Sequence, residues 1–69
     1  MTAEAKNPRT PMDILQAALR KEQNAYMFYD SLIKESTVGF VSDMLEELRD
    51  AEAQHIKMIQ KRIAMLTRG

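Results

Sequence analysis

Glu22, Glu52 and His55 are the residues of this 69-residue sequence whose types and spacing could do chemistry. Glu52 and His55 stand three apart, so on a helix they project from one face. Carboxylates with an imidazole suit a hard, redox-active divalent metal such as iron or manganese, and one His per metal leaves room for exogenous ligands. Cysteine is absent. That excludes disulfides, thiolate zinc sites, iron–sulfur clusters and thiol catalysis.

The elements that must position these three side chains are helices. Thr10-Pro11-Met12-Asp13 is a helix start, with Thr10 as N-cap, Pro11 at the first helical position and Asp13 adding negative charge to the first turn. No Gly or Pro interrupts the chain from there to about Glu35. Ser36-Thr37-Val38-Gly39 reads as a short connection. A second helix is expected from about Phe40 to about Leu66. The sequence therefore predicts an all-α antiparallel helical hairpin over residues 10–69, with helices at about 11–35 and 40–66, preceded by a flexible polar tail over residues 1–9.

Both helices carry an apolar seam with the period of bundle packing. The first places Leu15, Leu19, Glu22, Tyr26, Tyr29 and Ile33 at alternating steps of four and three. A neighbouring row holds Ala18, Glu22, Ala25, Tyr29 and Leu32. The second helix places Val41, Leu45, Leu48, Glu52, His55, Ile59 and Ile63. Only Glu22, Glu52 and His55 interrupt these seams. A carboxylate in a packed seam costs several kcal/mol, of order ~5, unless it is paired or binds a metal.

Two helices cannot bury both seams alone, and a chain this small needs a disulfide, a metal or a partner. Two hairpins can, as a four-helix bundle. Counted from the loop centre, Glu22 lies at nearly the same height as Glu52 and His55. Two-fold dimerisation would gather four Glu and two His, whose charge balances two divalent cations.

At this point the residues resemble a family. Glu22 with Glu52-x-x-His55 is similar to half of the ferritin-like di-iron carboxylate bundle. "ALRKEQNAYMFYDSL" and "MLEELRDAEAQHIKMI" resemble the first and second helices of the rubrerythrin branch, over about residues 13–66. The half length resembles the two-helix encapsulated ferritins. The resemblance implies a ferritin-like four-helix bundle made by a homodimer, with higher homo-oligomers also open. It implies two Fe ions per dimer, with Mn or Zn as other candidates, held by Glu22, Glu52 and His55. The implied activity is that of an oxidoreductase, oxidation of Fe(II) by O2 or H2O2, ferroxidase-like or peroxide-scavenging. Rubrerythrins add a Cys-rich iron site, which this sequence cannot form. They also carry a further Glu where Ala25 stands here, so the expected site is symmetric, closer to that of bacterioferritin.

Each residue also has a plainer reading. Glu22 alone is an ordinary solvated charge, and Glu-x-x-His alone is a short pattern. Tyr26 and Tyr29 flank Glu22 by one and two turns. They read first as core packing and second as hydrogen-bond partners of a ligand carboxylate. Glu46, Glu47 and Asp50 read as a solvated face, one of them within reach of His55. Met27, Met44, Met58 and Met65 read as gap-filling or interface residues. The alternative to an enzyme is a metal-stabilised structural bundle without turnover.

Ten basic residues balance ten acidic ones, with no block of like charge. Nucleic acid is therefore not an expected partner. MTAEAKNPRTP holds no apolar stretch, and no run approaches the roughly 20 residues of a membrane span. No membrane partner is expected, and the expected compartment is the cytoplasm.

Overall fold

The computed structural model describes residues 9–68. Among them are two α-helices and no strand: α1, Pro11–Glu35, and α2, Gly39–Thr67. The expected flexible tail, residues 1–9, lies outside the described residues except for Arg9.

α1 starts where its chemistry dictates. The Thr10 hydroxyl accepts from the Asp13 backbone N–H at 3.0 Å. The Asp13 carboxylate accepts in return from the Thr10 N–H at 3.1 Å. Two otherwise orphaned donors of the first turn are thereby satisfied in a reciprocal capping box. α1 ends at Ser36, whose backbone turns extended while its N–H still reaches the Ile33 carbonyl. Only Ser36, Thr37 and Val38 join the helices.

α2 begins one residue earlier than expected, because Gly39 is helical rather than part of the connection. Its N-cap is Val38, which offers no side-chain acceptor, and its first turn holds no acid. Nothing lies within 4 Å of where a Gly39 Cβ would stand.

The helices run antiparallel. Glu22 pairs with His55 and Asp30 with Arg49, so rising numbers on α1 meet falling numbers on α2. The Arg49 guanidinium donates to Asp30 at 3.0 Å and lies 5.9 Å from the centre of the Tyr26 ring. This cluster ties the helices on one side of the hairpin. Gln16, Gln23, Ser42, Glu46 and Gln60 fall on the same side, making it polar.

The other side is apolar. Ile14, Ala18, Ala25, Phe28 and Leu32 follow one another along α1, about a quarter-turn from the line of contact with α2. Met44, Leu48, Ala51 and Met58 do the same on α2. Leu45 is the only buried residue among those described, at 7% exposure. Phe28, Met44, Leu48, Met58 and Leu66 are all exposed large apolar residues. A contiguous face of this kind marks an interaction site.

Candidate metal centre

Glu22 projects from the middle of α1 towards α2. Glu52 and His55 project from the middle of α2, three residues apart and therefore on one face. Thr37 is the centre of the connection, and Glu22 and Glu52 lie equally far from it on either side. An antiparallel hairpin with a three-residue loop must bring them level.

The geometry follows. His55 Nδ1 lies 3.3 Å from Glu22 Oε1 and 3.3 Å from Glu52 Oε1. One ligand atom from each of the three residues falls within 4.8 Å of the others, the spacing of a group able to hold a metal ion. The two carboxylates are largely sheltered, with side chains 21% and 18% exposed, while the imidazole is half exposed. The cluster opens on to the apolar side of the hairpin, where His55 stands between Ala51 and Met58.

The electrostatics are those of an acid pair lacking full compensation. The hydrogen bond between the carboxylates holds Glu22 below the ordinary carboxylate range and pushes Glu52 above it. The titrations of the two are linked through this contact. His55 is raised, first by its contact with Glu22 and then by that with Glu52, so the imidazole tends towards its charged form. In the hairpin an imidazole drawn towards its charged form offsets the two acids, a task that a cation could perform instead.

The seam residues divide by position. Leu15, Leu19, Tyr26, Ile33, Ile59 and Ile63 are half-buried between the helices. Leu48 and His55 are exposed in the single hairpin, although His55 still reaches Glu22 of α1. Among the described residues, neither tyrosine hydroxyl is hydrogen-bonded to Glu22. Tyr26 lies instead under Arg49, and Tyr29 packs its ring against Phe28 at 5.6 Å. Glu46, Glu47 and Asp50 are exposed, and Asp50 pairs with Arg49 rather than His55.

The Arg49–Asp30–Tyr26 cluster is a contact the seam pattern does not announce. The signal was present. Tyr26 and Arg49 are equidistant from the midpoint between Thr37 and Val38, the same relation that levels Glu22 with Glu52 and His55.

No helix among the described residues is long and apolar enough to cross a membrane. No curated protein and no solved structure matches the chain. The family model described as rubrerythrin matches residues 13–69, a span that takes in both helices almost whole and all three residues of the cluster. With that match over most of its length, the chain belongs to the rubrerythrin family.

Proposed function

We propose that this chain is a non-haem di-iron protein whose metal centre is completed by a second copy, and that it oxidises Fe(II) with O2 or peroxide. The observation that carries this reading is the convergence of Glu22, Glu52 and His55 at mid-height, open towards an apolar face. The donor set fits the metal. Two carboxylates and one imidazole per chain give four carboxylates and two imidazoles in a dimer, enough to neutralise two divalent cations. The raised Glu52 and the pull of both carboxylates on His55 support a cation at this place, where it would relieve the acids.

Glu22, Glu52 and His55 would hold the metals, which supply one-electron redox chemistry towards oxygen or peroxide. The chain's own residues prepare that chemistry. Glu22 and Glu52 are sheltered between the helices and so keep their orientation. His55 stands at the rim, reachable from a facing hairpin and from small molecules. Metal binding requires ionised carboxylates and a neutral imidazole, so protons held beyond those states leave on loading.

The dimer rests on an independent observation. One buried residue is too little core for a stable domain of this size. A face about 37 Å long and two helices wide offers on the order of 700 Å² per chain. That is close to the roughly 800 Å² per partner of a standard stable interface.

The test is anaerobic Fe(II) titration of the metal-free protein, followed by air. Saturation near one Fe per chain, with a sedimentation mass of at least a dimer and Fe(II) oxidation above the buffer rate, is the expected result. A folded protein that binds no iron refutes the reading. Binding without oxidation would make the chain a metal-stabilised structural bundle.

A further inference from the structure

The apolar side of the hairpin is broken at the level of the metal centre, once on each helix. On α1 the spacing of Ile14, Ala18, Ala25, Phe28 and Leu32 leaves one place unfilled, and Lys21 fills it. On α2 the spacing of Met44, Leu48, Ala51 and Met58 also leaves one place, and His55 fills it. Lys21 precedes Glu22 by one residue, so it stands within about 1.5 Å of the height of Glu22. His55 belongs to the cluster; Lys21 does not. Arg62, another cation on this side, lies about 10 Å beyond His55 towards the open end.

Lys21 is exposed in the hairpin. Among the described residues it takes part in no ion pair, whereas Lys34 and Arg49 both do. Its charge does reach the cluster. Glu22 is held low first by its hydrogen bond to Glu52, and the Lys21 ammonium adds to the lowering. On a face that a partner covers, an ammonium taken from water without an anion is heavily penalised. The carboxylates of the cluster do not answer that need, since two divalent cations already balance all four in a dimer. Lys21 adds one positive charge per chain beyond that balance. Nor can the charged side chain ligate a metal, having three donors and no acceptor.

We propose that Lys21 makes the metal centre an anion site as well, its ammonium donating to a small oxygen anion, hydroxide or hydroperoxide, that accompanies the metals. This rests on the shared-centre reading and adds to it a residue and a ligand class. Hydrogen bonds between ionised partners are the strong ones. Hydroperoxide is the conjugate base of peroxide, so the cation that sets the charge of the centre also favours that oxidant in its anionic form. The same charge acts oppositely on the metals, because a cation beside the site repels another. Lys21 therefore strengthens anion binding and weakens metal binding. A lysine that merely lays its stem along the face and keeps its head in water would not hold the anion.

Lys21→Met removes the charge while keeping an unbranched side chain that suits a helix, and Lys21→Arg keeps the charge. The metal used is Co(II), whose visible spectrum reports its ligands, and the probe is azide, a small monoanion standing in for hydroperoxide. Sedimentation runs in parallel. Azide should bind the cobalt-loaded Lys21→Met protein about tenfold more weakly than the unsubstituted one, the worth of one hydrogen bond to a charged group. Lys21→Arg should recover most of that affinity, and Co(II) should bind metal-free Lys21→Met more tightly than the unsubstituted chain. Cobalt-loaded dimers that bind no azide, or bind it equally with and without the Lys21 charge, overturn the proposal and leave the shared centre standing. An unsubstituted chain that stays monomeric or takes up no cobalt overturns both.

Discussion

Glu22 and His55 stand 33 residues apart in sequence and 3.3 Å apart in space. They meet at the middle of both helices, with Glu52 at the same distance from the same imidazole nitrogen. In a folded chain with little core, two acids held this close are a cost unless something positive joins them. Contact with Glu22 raises Glu52 above its ordinary value, as such a cost requires. A carboxyl whose folded pKa is raised subtracts from stability once pH rises above its unfolded value. Glu52→Gln should therefore raise the melting temperature of the metal-free protein while abolishing iron binding. A melting temperature that falls, with iron binding intact, would make Glu52 a structural residue.

The two sides of the hairpin should respond oppositely to a new charge. Leu48 is 40% exposed on the apolar side, and Met27 is 59% exposed on or near the polar side. By exposure alone, Leu48 is the more sensitive position by a small margin. If the apolar side is covered by a second copy, Leu48→Glu should abolish the dimer in sedimentation at micromolar concentration, and Met27→Glu should leave its mass unchanged. Equal behaviour of the two variants would remove the case for a one-sided interface.

Acid should weaken the hairpin through two carboxylates remote from the metal centre. Asp30 is lowered first by its hydrogen bond to Arg49, and Asp13 first by the Thr10 N–H. A carboxyl with a depressed folded pKa contributes stability above its unfolded value, near 4, and loses it as pH falls through the folded value. Asp30→Asn and Asp13→Asn should each lower the melting temperature at pH 7 and flatten its decline below about pH 4. The Asp30 effect should shrink in about 1 M salt, where the screening length falls to about 3 Å. An Asp30→Asn variant with an unchanged acid limb would show that the Arg49 contact adds nothing in solution.

Gly39 is the cheapest place to strengthen the fold. It is helical, open space surrounds its missing Cβ, and no special backbone angle requires it. Gly39→Ala should stabilise the chain by about 0.4–1 kcal/mol, chiefly by restricting the unfolded state. Chemical denaturation at fixed protein concentration would check this, since stability of a dimer moves with concentration.

Gly39 also shows where sequence reasoning reaches its limit. Beside Ser36, Thr37 and Val38 it reads as loop, because composition alone cannot tell the last linker residue from the first helical one. Thr10 and Asp13 were fully legible as a helix start, since capping is local chemistry written in adjacent residues. The level meeting of Glu22, Glu52 and His55 followed from counting outward from the loop, because a short connection leaves an antiparallel pair little freedom to slide. The same count places Tyr26 beside Arg49. The seam pattern hid that pair, because Arg49 lies off the apolar row and its reach depends on a long flexible side chain. Which seam residues face the sister helix and which face outward was not legible either. Leu45 and Leu48 are alike in sequence, and only the rotation of α2 about its axis makes one buried and the other exposed.

The connection between the helices is three residues long, so Thr10 and Arg68 come back to the same end of the hairpin. That sets the terms for building a single-gene version of the proposed assembly. Were two copies to pack with their loops at opposite ends, the finish of one hairpin and the start of the next would lie at opposite ends of the bundle. A tether joining them would have to run about 40 Å alongside the helices, needing at least a dozen or so extended residues. A shorter tether would hold the hairpins apart or draw them into the wrong partnership. Only the longer one would let both copies of the centre form within one polypeptide and allow a ligand to be changed on one side alone.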